Sequence, residues 1–357
     1  MPSLKNLRGL LLLPAALLAG CNTVLLNPSG YIAAQQGNLI VVSTVLMLII
    51  IVPVIALTLL FAWRYRQSNK EAVYSPDWDH STQLELVIWA APLLIIIALG
   101  AITWISTHTL DPYRPLTRID SQRLVPDGTQ PLTVEVVALD WKWLFIYPEQ
   151  GIALVNEMAA PVDRPIRFRI TASSVMNSFF IPALAGQIYA MPGMETTLHA
   201  VINKPGEYEG FSANYSGAGF SGMRFKFHGL SSADFDRWVQ TAKADGAQLD
   251  RPGYLQLEKP TEREPVRRFK SVTPGLYEAI VNRCVEANKM CMNQMMAIDA
   301  RGGQGLGGTT ALTSSPWRVA AGLPERRYVE ALCTADNPTG APVIASDFTD
   351  RPLRPLQ

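Results

Sequence analysis

The sequence predicts a membrane α plus all-β protein: a two-helix transmembrane hairpin, a Greek-key β-sandwich, then a helical and irregular C-terminal tail. Three observations carry that reading. Residues 39–63 and 86–106 are two long apolar stretches without a charged side chain. From residue 132 the pattern changes to short segments with period two, separated by turn residues. Beyond residue 260 the chain is richer in Pro, Gly, Arg and Thr. The 357 residues leave room for such a division, and most of the apolar excess lies before residue 107. A net charge of +1 supplies no basic field, so nucleic acid is excluded as a partner.

Residues 1–20 read as a lipoprotein signal peptide. Lys5 and Arg8 form its positive start, and residues 10–18 are an apolar run too short to cross a bilayer. The run closes on Leu18-Ala19-Gly20-Cys21, which resembles the lipobox of bacterial lipoproteins and makes Cys21 the expected lipid anchor. Residues 21–37 then form an outer N-terminal segment.

Transmembrane helices are predicted at residues 38–64 and 85–107, joined by a loop at 65–84. Each is long enough for a hydrocarbon core of ~30 Å. Pro53 and Pro92 lie inside the spans, where a membrane helix tolerates them, and Trp63, Tyr65, Trp89 and Trp104 stand toward their ends. The connection carries Arg64, Arg66 and Lys70, whereas residues 22–38 carry no Lys or Arg. The positive-inside rule puts the loop in the cytoplasm and both chain ends in the periplasm of a bacterial inner membrane. Glu85 falls at the cytoplasmic mouth of the second span. From the residues alone it is an acid in a first helical turn, favoured by the helix dipole.

Strands are predicted at residues 132–138, 142–147, 165–171, 195–202, 207–212 and 223–228. Pro126-Asp127-Gly128, Pro192-Gly193 and Lys204-Pro205-Gly206 are among the turns between them. So many short strands indicate a sandwich or barrel over residues 125–230. Trp141-Lys142-Trp143-Leu144-Phe145-Ile146-Tyr147 reads either as a core strand or as an exposed aromatic patch for docking or electron transfer. Ser231 caps an amphipathic helix with Phe235, Trp238, Val239 and Ala242 on one face, lying on the sandwich or on a partner.

Residues 231–300 form an aromatic and helical C-terminal region. One helix is predicted from residue 276 to about 296. On a straight helix Cys284 and Cys291 would lie ~10 Å apart, beyond disulfide reach. Either the helix breaks between them or one of them pairs with Cys333. Met290, Met292, Met295 and Met296 surround Cys291, and soft sulfur suits Cu(I), although packing explains such a cluster equally well. Residues 301–357 are an extension with no role assigned, opening on a Gly-rich link at 301–310.

The stretch Ser212-Ala213-Asn214-Tyr215-Ser216-Gly217-Ala218-Gly219-Phe220-Ser221-Gly222-Met223 is built like a metal-binding loop without metal-binding side chains. With the two spans and the sandwich it resembles subunit II of the haem–copper terminal oxidases over about residues 21–300. The resemblance implies a cupredoxin-like outer domain. In the cytochrome c oxidases of that family, an upstream His and C-x3-C-x3-H-x2-M hold a binuclear copper centre, with a Glu between the cysteines that ligates through its backbone carbonyl. Counted back from Met223, those positions here are Phe220 for the His, Ser216 and Ser212 for the cysteines, Asn214 for the Glu and Asn177 for the upstream His. Only Met223 is retained. Hydroxyls and a phenyl ring do not bind soft copper. The departures, with Asn177-Ser178-Phe179-Phe180-Ile181-Pro182 and Gln187-Ile188-Tyr189-Ala190-Met191, match the quinol-oxidase branch, nearest the bo-type ubiquinol oxidases.

The resemblance implies a subunit of a proton-translocating enzyme that oxidises ubiquinol and reduces oxygen to water. No cofactor is then expected in this chain; haems and one copper are expected in subunit I, with subunits III and IV and membrane lipid as further partners. It also implies a second role for Glu85. In its Leu84-Glu85-x-x-x-Trp89 setting it would mark the cytoplasmic mouth of a proton channel. Two other readings compete: a copper-containing cytochrome c oxidase subunit II, and a membrane-anchored copper chaperone using the Met and Cys cluster.

Overall fold

The computed structural model describes residues 24–73, 75, 77–244 and 246–300. The expected signal peptide, Cys21, Cys333 and the extension from residue 301 lie outside the described residues. Two compact units separate, one ending at Tyr277 and one starting at Glu278.

The first unit opens with helices α1 (Tyr31–Arg64) and α2 (Thr82–Thr109). Helix α1 starts at Tyr31, ahead of the predicted residue 38. Ala33, Ala34, Gln35 and Gln36 are good helix formers, but an apolar window does not register them. Both helices are long and apolar enough to cross a membrane. Leu59, Trp89 and Trp104 expose 66%, 77% and 71% of their surface. An apolar surface that broad demands lipid or a protein partner. Helix α2 is capped by Ser81, whose hydroxyl accepts from the Leu84 amide at 3.5 Å.

The start of α1 is tied to the outer domain. Gly30 bridges Ile202, and its amide donates to the Ala183 carbonyl at 2.8 Å. A Cβ on Gly30 would lie 2.4 Å from the Leu184 carbonyl oxygen, so only glycine permits this approach.

The outer domain is a sandwich of two sheets. One has seven strands in the order β11-β12-β3-β2-β1-β5-β8, the other five in the order β4-β10-β9-β6-β7. The first comprises β1 (Leu132–Leu139), β2 (Lys142–Tyr147), β3 (Ile152–Val155), β5 (Ile166–Ala172), β8 (Thr196–Ala200), β11 (Ala247–Leu249) and β12 (Arg267–Val272). The second comprises β4 (Glu157–Pro161), β6 (Asn177–Phe180), β7 (Ile188–Ala190), β9 (Gly206–Ser212) and β10 (Arg224–Leu230). Strands β1 and β5 run parallel, as do β10 and β4. These crossings give the chain its Greek-key path. Helices α3 (Ser232–Ala244) and α4 (Arg251–Glu258) lie between β10 and β12 in sequence. Phe235, Val239 and Ala242 of α3 join the core cluster, so this helix lies on the sandwich. The sheet therefore does not end at residue 230: β11 and β12 continue it.

Aromatic rings lock the two sheets. Phe179 and Phe225 stack with centroids 5.5 Å apart, and Trp143 meets both edge-on at 5.4 and 5.8 Å. Gly210 sits opposite Phe225, where a Cβ would fall 2.0 Å from the ring. Strand β2 is buried on both faces, so of its two readings the core strand is the one found and the exposed aromatic patch is not. Trp143, Phe145 and Tyr147 enter the core, while the residues around 259–264 cover the other side. There the Lys142 ammonium donates to the Lys259 carbonyl at 2.8 Å and to Thr261 Oγ1 at 2.7 Å, and burial lowers its pKa.

Glu157 is 8% exposed. Its carboxylate lies 3.3 Å from His228 Nε2 and 2.9 Å from Arg268 Nη2. The His228 ring first, and Arg268 after it, hold the Glu157 carboxyl below its usual pKa. A depressed carboxyl pKa gives stability that is complete above the unfolded value of 4.5 and lost as pH falls through the folded value. Glu157→Gln is therefore expected to cost about 2 kcal/mol at neutral pH, because it takes the anion from a guanidinium that is one-third exposed and so partly screened by water. The gap to the unchanged chain should narrow as pH falls below 4.5 and through the lowered folded value, as read by denaturant unfolding across pH. A gap that persists there would show that the cluster is not held by charge.

The second unit contains most of a short helix, α5 (Leu276–Val281), and helix α6 (Met292–Ala300). The single helix predicted over 276–296 is broken. Arg283 and Asn288 take left-handed φ of 54° and 65°, and Cys284 and Cys291 form a disulfide with Cα atoms 4.8 Å apart. Of the two alternatives for these cysteines, the broken helix is the one found.

Candidate functional site

The Ser212–Met223 loop joins β9 to β10 and is closed at its base. The Ser212 amide donates to the Met223 carbonyl at 3.1 Å, and the Ala213 amide to the Ser178 carbonyl at 3.0 Å. Within it a short 3-10 turn (Phe220–Gly222) brings Met223 back under the loop, where its side chain is fully buried. Asn177 enters from β6. Asn177 and Ser212 meet directly, with Oδ1 and Oγ 3.1 Å apart.

Hydrogen bonds among neutral groups hold this arrangement. The single proton of the Ser212 hydroxyl is shared between Asn177 Oδ1 and the Asn214 carbonyl at 3.2 Å. Asn214 Nδ2 donates to the Met176 carbonyl at 3.3 Å, and Asn177 Nδ2 to the Val175 carbonyl at 3.2 Å. Ser216 Oγ is buried without a hydrogen-bond partner. Phe220 is part-buried and meets the exposed Tyr215 ring edge-on, centroids 5.6 Å apart. A binuclear copper centre needs thiolates and imidazoles. Two hydroxyls, two amides, a phenyl ring and one thioether do not fit that group. Among the described residues no cluster of three or more His, Cys, Asp or Glu is placed to hold a metal ion.

Trp141 was absent from the expected site. Its backbone takes a left-handed φ of 64°, and its indole donates to the Ser216 carbonyl at 3.0 Å. The ring lies so close to Gly217 and Gly219 that a Cβ there would fall 2.9 and 2.5 Å from it. The Gly217-Ala218-Gly219 spacing was the available signal, since two bare backbone positions invite an aromatic face.

Glu85 lies far along the chain from this loop, in the first turn of α2. Its carboxylate is 2.8 Å from His80 Nδ1, and both side chains are more than half exposed. His80 Nε2 in turn lies 3.1 Å from Thr82 Oγ1. His80 escaped the sequence reading because it precedes the helix cap, where periodicity gives no information about partners.

The Met and Cys cluster loses its thiolate to the Cys284–Cys291 bond. Met295 and Met296 are exposed on α6. A soft-metal site at Cys291 is not assembled among the described residues.

Comparison with known proteins follows the same lines. Residues 150–228 match the family described as the periplasmic domain of cytochrome c oxidase subunit II, and residues 243–288 match the COX aromatic-rich motif. The chain is similar to the cytochrome bo(3) ubiquinol oxidase subunit 2 of Pseudomonas putida, 52% identical over 273 residues, spanning 76% of this chain and 84% of the relative. The ubiquinol oxidase subunit 2 of Acetobacter aceti is also 52% identical, over 75% of this chain and 84% of its own length. Among solved structures, the periplasmic domain of subunit II of cytochrome oxidase of Bradyrhizobium japonicum aligns with 34% of this chain and 98% of its own at 26% identity, with a TM-score of 0.32.

Proposed function

The chain belongs to the ubiquinol oxidase subunit II family of the haem–copper oxidases, and from that premise we propose how it serves a complex that passes electrons from ubiquinol to oxygen. The observation that carries the proposal is the emptied loop. Asn177, Ser212, Asn214, Ser216 and Phe220 occupy a metal-site frame with side chains that do not hold copper. A soluble electron donor outside the membrane needs a relay through the outer domain. Ubiquinol is dissolved in the bilayer and reaches the catalytic subunit directly, so the relay has no task. The sandwich then acts as a cap on subunit I, which in this reading carries the haems and the copper; subunits III and IV complete the assembly.

The chemistry assigns a direction to the protons. Ubiquinol releases protons as it is oxidised, and oxygen takes up protons as it becomes water. If the latter come from the cytoplasm, the reaction charges the membrane. In this reading Glu85 stands at the cytoplasmic mouth of α2 and collects them; its contact with His80 in the first helical turn supports that role. Lipidation of Cys21, supported by Leu18-Ala19-Gly20-Cys21, would add a second tether on the outer face.

Oxygen uptake by the purified complex tests the assignment. Ubiquinol should support turnover, and reduced cytochrome c should give no uptake above the blank. Comparable uptake with cytochrome c would overturn it in favour of a relay through the outer domain. The copper chaperone reading predicts that the chain purifies without a haem-bearing partner.

A further inference from the structure

A cavity of about 380 Å³ opens where the membrane hairpin meets the outer domain. Its walls come from the first turns of α1, the linker that follows α2, and the 186–187 and 198–199 segments of the sandwich. Its level is fixed by the helices. The apolar run of α1 starts below it at Leu39, and the apolar run of α2 ends at Ser106, just before the cavity-lining residues begin at Thr109. The cavity therefore lies at the headgroup level of the outer leaflet.

Its lining is polar and carries a net positive charge. Arg114 and Arg118 line it, and among the described residues neither guanidinium has a carboxylate within 4.0 Å. Arg114 reaches only the His108 carbonyl at 3.5 Å, and Arg118 only the Ser121 carbonyl at 3.1 Å, so most of their N–H donors remain available. Asp111 also lines the cavity, but its Oδ1 accepts the Tyr113 amide at 2.9 Å and closes its own turn. His199 is half-buried. Burial first, and Arg167 after it, lower its pKa, so it faces the cavity as a neutral ring at pH 7. Gln35 and Gln187 add neutral amides. Two arginines against one aspartate leave one positive charge, matching a single phosphodiester. Below the cavity, Ile40, Trp104 and Ile105 expose apolar surface along which acyl chains could run.

We infer that this cavity binds the phosphodiester headgroup of an anionic glycerophospholipid from the outer leaflet, through Arg114 and Arg118. The shared chemistry of a phosphate oxyanion also admits free phosphate, but only a lipid uses the cavity and the apolar surface beneath it together. A neutral phospholipid lacks the net charge that the arginines answer.

The test uses the assembled oxidase in nanodiscs of phosphatidylcholine, titrated with phosphatidylglycerol. Bound lipid is read by native mass spectrometry after partial delipidation. At ~1 kcal/mol for each arginine near a headgroup, Arg114→Gln together with Arg118→Gln should weaken phosphatidylglycerol retention about thirty-fold. Arg114→Lys with Arg118→Lys should restore most of it. Inorganic phosphate at the same concentration should leave the lipid bound. Equal retention by the glutamine variant, or equal retention of phosphatidylcholine by the unchanged complex, would overturn the inference. Displacement by inorganic phosphate would reassign the cavity to a free anion and overturn the lipid. If the glutamine variant does not assemble, the competition between the two lipids on the unchanged complex decides alone.

Discussion

A chain carrying Asn177→His, Ser212→Cys, Asn214→Glu, Ser216→Cys and Phe220→His is expected to bind copper in a binuclear centre, where the unchanged chain takes up none above background. The argument rests on the frame. The base of the loop is closed by the Ser212 amide on the Met223 carbonyl, so position 212 is fixed relative to the retained thioether. Asn177 and Ser212 already aim their side chains at one another across 3.1 Å. Ser216 Oγ is buried with nothing to bond to, which leaves its position open to a ligand atom. The substitutions therefore place soft donors on a closed loop in which positions 177 and 212 already meet. They also remove an edge contact between Phe220 and Tyr215, worth about 1 kcal/mol, too little to unfold the domain. Metal analysis and a thiolate-to-copper absorption band are the readouts. A folded five-residue variant that stays free of copper would sink the reading of this loop as an emptied metal site.

That frame was legible in the sequence because the spacing back from Met223 is a property of the chain itself. What fills the loop was not. Trp141 comes from the other sheet, and its φ of 64° follows from the tight turn between β1 and β2, which no local pattern announces. The same limit explains β2. Its alternation of Trp143, Phe145 and Tyr147 with Lys142, Leu144 and Ile146 is that of a strand with one wet face. It is dry on both faces because the chain near residues 259–264 returns to cover it, and the buried Lys142 donates to acceptors in that segment and to the Asp140 carbonyl. Strands β3 and β4 were missed for a related reason. Both are buried at every position, so they show no alternation, and they are separated by Asn156 at a left-handed φ of 57°. The membrane helices were the clearest part, since an uninterrupted apolar run needs no knowledge of its partners.

The cytochrome c oxidase and chaperone alternatives fail on different physical grounds. The first needs side-chain ligands at four positions that here hold an amide, two hydroxyls and a phenyl ring. The second needs a thiolate at Cys291, and a cystine sulfur is neither a thiolate nor a good soft-metal donor. In the function proposed above, what unites the spans, the sandwich and the loop is a donor that arrives within the bilayer. The outer domain is then retained for its packing against the hairpin, through contacts such as Gly30 on Ala183 and Asn203 on Ser29.

Replacing Glu85 by Gln should slow oxygen consumption about tenfold while leaving the complex assembled. The size of the effect follows from exposure. Both Glu85 and His80 are more than half exposed, so water remains beside the mouth of the path and can deliver protons slowly without the carboxylate. A fully buried relay would give a larger loss. The structural cost is small by comparison. Glutamine keeps the length of the side chain and the Ser81 cap below it, and losing a negative charge in the first turn of α2 weakens the dipole interaction by about 0.5 kcal/mol. Thermal stability and subunit content should therefore match the unchanged complex, which separates a proton-uptake role from a plain helix-end role. Glu85→Asp, which keeps the proton-carrying group, should recover most of the turnover. Unchanged oxygen consumption in the Gln variant would mean that Glu85 is only a helix-end acid, and that protons for water formation enter elsewhere.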